Sequence, residues 1–141
     1  MTTGLATAVA LTFVWLGMVL AISFLEAPLK FRAPGITIPL GLGIGRLVFR
    51  ALNIVELLLA AGIIVALLLA DAATDAWLAS GATILVLLVQ VAVVRPALTR
   101  RTNLVLAGED APGSKGHLAY IGLEVVKAVG LVVTGIVLLG A

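Results

Sequence analysis

The sequence predicts an all-α integral membrane protein, an antiparallel four-helix bundle with both termini outside the cell. Three observations carry this reading. Apolar residues make up 62% of the chain and charged residues only 11%, whereas about a quarter of a soluble domain is charged. Four long apolar runs stand at Leu5–Leu25, Leu47–Leu69, Trp77–Val94 and Leu118–Leu139, each near the ~20 residues that cross ~30 Å of hydrocarbon. The nine Lys and Arg lie on one side, or in the half-membrane beside it. Residues 1–141 form one domain, with helices at about 5–25, 47–69, 77–94 and 118–139.

The first run is read as a retained helix. Its leader "MTTG" has no Lys or Arg, and its apolar core exceeds the ~7–15 residues of a signal peptide's h-region. The connection "EAPLKFRAPGITIPLGLGIG" holds three of the five prolines and is expected to interrupt the helix. Its "GLGIG", Gly41–Gly45, lacks a preceding strand and the Lys-Ser/Thr of a phosphate loop, and is read as a flexible lead into the second helix. "ADAATDAW" is a tight connection, which makes the second and third helices antiparallel neighbours. The third helix is expected to continue beyond Pro96 and to break at Gly108 and Pro112–Gly113. No internal repeat stands out, although Pro28 and Pro96 both follow apolar runs. The pairs Gly17 with Ala21, and Gly122 with Gly130 and Thr134, are candidates for close helix packing.

Charge gives the threading. Lys30, Arg32, Arg46 and Arg50 flank the first loop, and Arg95, Arg100, Arg101 and Lys115 flank the third. The other face carries Asp71, Asp75 and a C-terminal stretch without charged side chains. The positive-inside rule puts the first and third loops in the cytoplasm and both termini outside, in the plasma (inner) membrane. A pI near 9.5 then reflects lipid headgroup contacts, as for Arg100–Arg101, and not nucleic acid.

The polar residues inside the spans are the candidates for function, because an ionisable group in lipid must be protonated, paired or wetted. Arg46, Arg50 and Asn53 share one face of the second helix, with Glu56 further round. Arginines in a helix's first turns oppose its dipole, so phosphate headgroups or a bound anion must favour them. Glu56 lies about 15 Å beyond Arg46, near mid-membrane. His117, Tyr120, Glu124 and Lys127 form a matching face on the fourth helix. Counting depth from the cytoplasmic ends sets Glu56 beside Lys127, with Arg50 in reach of Glu124. The second and fourth helices are therefore expected to touch through two ion pairs, with Arg50 inward and Arg46 outward. Glu26 and Gln90 border the same region.

Other chemistry finds little support. Zero cysteines exclude thiolate sites and disulfides, and a single histidine leaves no pair for haem or zinc. Ser23 and Ser114 sit in no nucleophile motif. The expectation is no enzyme, no metal and no cofactor.

Phe24, Pro28 and Phe31–Arg32 after the first helix, "GRLVF" in the second, "RPALTRRT" after the third and His117 opening the fourth form a pattern. It resembles the transmembrane protein 205-like family, small four-span membrane proteins whose domain function is unassigned. The core "FLEAPLKFRAPG…GLGIGRLVFRALN" is also similar to small membrane proteins of actinobacteria. The resemblance implies a four-span fold over most of the chain and brings no catalytic or binding role. Asn53, Glu56, Glu124 and Lys127 depart from the family's pattern.

Two functions remain open. One is binding or transport of a small anionic or amphiphilic ligand through a cytoplasm-facing polar pocket lined by Arg46, Arg50, Asn53, Glu56, His117, Tyr120, Glu124 and Lys127. The other is an accessory or scaffold subunit whose polar stripe clamps helices together. The expected partners are membrane lipids, the small anion, and a second copy or a larger membrane protein.

The threading has a direct check. Single cysteines replacing Thr74 and Ser114 are exposed to an impermeant thiol reagent on intact cells. Labelling at Thr74 alone is expected; labelling at Ser114 alone reverses the topology.

Overall fold

The computed structural model describes residues 1–109 and 115–141. Its four long helices are α1 (Thr3–Arg32), α2 (Ile38–Leu69), α3 (Thr74–Leu106) and α4 (Lys115–Leu139). All four are long and apolar enough to cross a membrane, and no strand occurs among the described residues. α1 packs along α2 and α4, α3 packs along α4, and α2 meets α3. This is an up-and-down bundle in which α2 and α4 lie across the diagonal.

The helices run further than the apolar runs do. α1 begins behind Thr2, whose hydroxyl accepts from the Leu5 N–H at 3.1 Å; it continues through Pro28 to Arg32. The expected interruption is confined to residues 33–37, around Pro34 and Gly35 (φ +79°). α2 then starts behind Thr37, which caps the Leu40 N–H at 3.2 Å, with Pro39 in its first turn. "GLGIG" is therefore helical. Its glycines serve packing: a Cβ on Gly41 would overlap the Phe31 ring, and one on Gly45 would lie 3.0 Å from Lys30 Nζ.

α2 and α3 end in matching caps. Asp71 (φ +51°) follows α2, and the Ala72 N–H returns to the Leu67 carbonyl at 3.1 Å. Gly108 (φ +82°) follows α3, and the Glu109 N–H returns to Leu104 at 3.0 Å. Both are the six-to-one closure that satisfies a last-turn carbonyl. The expected break at Gly108 is present, and that at Pro112–Gly113 lies outside the described residues.

Pro28 and Pro96 stay inside helices because each is preceded by a widened turn. A proline removes the N–H that would bond four residues back, and its ring strikes that carbonyl. In α1 the segment Leu20–Glu26 is π-helical and the Ala27 N–H bonds the Ile22 carbonyl, five residues back. In α3 the segment Gln90–Val94 does the same, with the Arg95 N–H on Gln90. One extra residue per turn relieves the clash without breaking the helix.

These two prolines belong to an internal repeat that the sequence hides. The offset from Pro28 to Pro96 also carries Ala8, Thr12, Trp15 and Val19, the buried residues of α1's first segment, onto Ala76, Ser80, Thr83 and Leu87, those of α3's. It carries buried Leu52, Glu56 and Ile63 of α2 onto buried Tyr120, Glu124 and Leu131 of α4. Gly62 falls on Gly130. The second hairpin repeats the first in its buried positions while keeping few of its residues.

The bundle is apolar outside and carries a polar cluster within an otherwise apolar core. Leu58 and Leu69 are 68% and 80% exposed, while Glu56, Gln90 and Lys127 are wholly buried. Among the described residues, nothing lies within 4 Å of a Cβ placed on Gly17 or Gly122, so these two mediate no close packing between the helices described, whereas Gly130 lies tight against Thr83.

Gly41 supplies the test. Gly41→Ala is expected to cost about 1–3 kcal/mol by overpacking against Phe31. Gly17→Ala, in open space, gains up to about 1 kcal/mol of helix propensity. Thermal unfolding in detergent that ranks the two variants equally would remove the Phe31 contact from the account.

Candidate functional site

Lys127 is wholly buried at the centre of the bundle, and its ammonium has three N–H donors. Three acceptors surround it: Glu56 Oε2 at 2.5 Å, Glu124 Oε1 at 2.6 Å and Gln90 Oε1 at 2.9 Å. They come from α2, α4 and α3. Glu56 also accepts from Trp15 Nε1 of α1 at 2.7 Å on Oε2, and from Asn53 Nδ2 at 3.0 Å on Oε1. Glu124 accepts from Gln90 Nε2 at 3.2 Å on Oε1 and from the Ser23 hydroxyl on Oε2. Each carboxylate thus takes three donors, and every helix contributes to the cluster. A charge without such partners costs several kcal/mol in an apolar interior.

The two widened turns supply the second carboxylate's two neutral donors. Ser23 lies in the π segment of α1 and Gln90 opens that of α3, so the prolines that force these turns also shape the site. Such π-bulges are frequent at functional sites.

Toward the Lys- and Arg-rich end, the four helices part around a cavity of about 430 Å³. Ser23 and Glu124 sit at its inner end. Phe24, Phe31, Phe49, Leu98 and Ile121 supply apolar wall, and Lys30, Arg46, Arg95 and Arg101 supply positive charge. Among the described residues, Glu124 is the one carboxylate in this lining. Arg95 donates Nε–H to Asn53 Oδ1 at 3.3 Å, and its guanidinium carbon lies 4.4 Å from the Tyr120 ring centre and 5.0 Å from that of Phe49. Those rings meet edge to face at 5.7 Å. Lys30 lies 3.9 Å from Glu26 and 5.8 Å from the Phe49 ring centre.

The expected Glu56–Lys127 pair is present, but α2 and α4 do not pack against each other to make it. Two long side chains meet across the diagonal. Glu124 joins the same ammonium, so the second expected pair, Arg50–Glu124, does not form. Arg50 is exposed. Buried Leu52, Asn53, Glu56, Ala60, Ile63 and Leu67 define the inward face of α2, and Arg50 lies about 100° from its centre. The expected orientations are reversed: Arg46 lines the cavity and donates to Asn103 Oδ1 at 2.5 Å. The dipole argument for both arginines lapses, because α2 starts about two turns before Arg46.

The remaining candidates are placed at differing distances from the cluster. Asn53 and Tyr120 are buried beside the cluster, with Asn53 Nδ2 and Tyr120 Oη 3.5 Å apart. His117 lines the cavity. Gln90, expected at the border, is central, whereas Glu26 is outside the cavity lining. Trp15, Ser23 and Arg95 were not among the expected site residues. Arg95 had a signal, since it precedes a proline that need not end a helix; a lone Trp or Ser in an apolar run has none. Among the described residues, no group of three or more His, Asp or Glu forms a metal site. Comparison with protein-family models, curated proteins and solved structures finds no match.

The shared ammonium implies an asymmetry. Lys127→Met leaves two buried carboxylates and is expected to cost about 3–5 kcal/mol. Glu56→Gln costs less, because Glu124 still balances Lys127. The triple variant with Glu56→Gln, Glu124→Gln and Lys127→Met should recover most of the loss in thermal unfolding. Equal damage from the two single changes would contradict the shared site.

Proposed function

We propose that the four helices cross the plasma membrane with both termini outside, and that the cavity opens toward the cytoplasm and binds or carries a small anionic or amphiphilic ligand. The observation that carries the reading is the cavity itself: apolar and aromatic walls with Lys30, Arg46, Arg95 and Arg101 around them. The exposed leucines support the membrane setting, and the positive-inside rule supports the orientation. Arg95 is the central ligand-binding candidate. Only its Nε is engaged in a hydrogen bond among the described residues, so its terminal nitrogens remain to meet an anion. A planar guanidinium held against two rings and an amide is well ordered for a carboxylate, sulfate or phosphate group. The apolar wall then takes the ligand's hydrocarbon part.

A second reading has one observation in its favour. The Glu56–Lys127–Glu124 cluster is saturated by internal donors, as a helix clamp in an accessory subunit would be. It does not account for the cavity beside the cluster.

Mass spectrometry of small molecules and lipids retained after gentle purification decides between them. Arg95→Gln is expected to reduce an anionic species about tenfold, or ~1.4 kcal/mol. Arg46→Gln should reduce it less, and Arg50→Gln should match the parent. Equal retention in all four proteins would leave the clamp reading ahead.

A further inference from the structure

The cluster holds two carboxylates and one ammonium, and its two carboxylates are not equivalent. Both oxygens of Glu56 face N–H donors: Trp15 Nε1 and Lys127 Nζ on Oε2, and Asn53 Nδ2 on Oε1. None of these groups can accept a hydrogen bond. A proton added to Glu56 would therefore set hydrogen against hydrogen. Glu124 differs at one atom. Its Oε1 takes Lys127 and Gln90, but its Oε2 meets the Ser23 hydroxyl, which can donate or accept. Ser23 and Glu124 both line the cavity, whereas Glu56 does not.

We propose that Glu124 is a reversible proton-binding site and that Glu56 is the permanent counter-ion of Lys127. A proton arriving from the cavity bonds to Glu124 Oε2. The new O–H donates to Ser23 Oγ, whose own hydrogen turns away. No other hydrogen bond of the cluster breaks, and the buried charge falls from one excess negative to zero. Release reverses these steps. The charged and titratable groups around Glu124 come from all four helices. α1 brings the Ser23 hydroxyl, with Glu26 and Lys30 paired further toward the basic end. α2 brings Glu56, already held by Lys127, and, at the cavity lining, Arg46; α3 brings Arg95 and, at the lining, Arg101; α4 brings Lys127, Tyr120 and, at the lining, His117.

Protonation also removes the carboxylate charge from the inner end of an otherwise cationic cavity. Proton and anion then bind together, each strengthening the other. This coupling rests on the anion-binding reading, whereas the proton site rests on the cluster alone.

Infrared difference spectroscopy of the protein in lipid nanodiscs, titrated from mildly alkaline to mildly acidic pH, reads the proton directly. A protonated-carboxyl C=O band is expected to rise as pH falls and to be absent in Glu124→Gln. Ser23→Ala, which alters a partner of Glu124 alone, should shift that band. Trp15→Phe, which alters a partner of Glu56 alone, should leave it in place, as should His117→Gln. No carboxyl band at any pH, or a band moved by Trp15→Phe and indifferent to Ser23→Ala, overturns the proposal. Decyl sulfate, whose charge does not titrate, tests the coupling in the same nanodiscs. Its affinity should rise about 5-fold or more on acidification and be flat in Glu124→Gln. A titrating band without decyl sulfate binding would sink the cavity reading and support the proton site.

Discussion

The bundle is organised by the constraint that a buried ammonium must use all three of its hydrogens. Lys127 meets this with Glu56, Gln90 and Glu124, taken from three helices, and Trp15 of α1 closes the circle through Glu56. Because α2 and α4 face each other across the diagonal, the pair between them fixes the width and axial register of the whole bundle. A slide of α4 by one turn, about 5 Å, would carry Lys127 and Glu124 together away from Glu56 and Gln90 and leave the Glu56 carboxylate buried without its counter-ion. Apolar residues outside this cluster tolerate sliding far better, since one leucine packs much as another does. The polar centre therefore specifies an arrangement that the apolar surface leaves open.

The same centre explains the irregular backbone. Pro28 and Pro96 occupy equivalent positions in the two hairpins, and each widens the turn before it. Those turns carry Ser23 and Gln90, the two neutral partners of Glu124. The repeat accounts for the likeness of Glu56 and Glu124, which occupy equivalent sites, and its divergence accounts for their difference. Lys127 stands where the first hairpin has Leu59, and Asn53 where the second has Ile121. Two like acids thereby acquire unlike surroundings, one closed by N–H donors and one open to the cavity through a hydroxyl.

Much of this was legible in the sequence, and what was hidden has physical reasons. Span number and the lopsided charge follow from hydropathy and from counting Lys and Arg. Glu56 and Lys127 could be matched by depth alone, because both lie ten residues beyond a basic landmark on their helices. Helix ends were misjudged at Gly41–Gly45 because glycine reads as a breaker, whereas here it admits Phe31 and Lys30. Arg50 and Arg46 exchange orientations because the expectation weighs depth, on which outward exposure of the deeper Arg50 is less tolerable. Taking Glu56 as the inward reference would have turned Arg50 out. The sequence counts Arg95 among the basic residues flanking the third loop, although the helix is expected to pass Pro96, and the π turn before it leaves no mark in composition. The repeat escaped notice because it is conserved in burial and in a few residues, Pro28 with Pro96 and Glu56 with Glu124 among them.

The central claim is that one ammonium bridges two carboxylates in the middle of the bundle. Solid-state NMR in lipid, with ¹⁵N on the lysine side chains and ¹³C on the glutamate carboxyl carbons, measures this directly through dipolar couplings. The account predicts ion-pair-range couplings from Lys127 to two glutamates, with one lost in Glu56→Gln and the other in Glu124→Gln. Coupling to one glutamate alone, or to none, would contradict it.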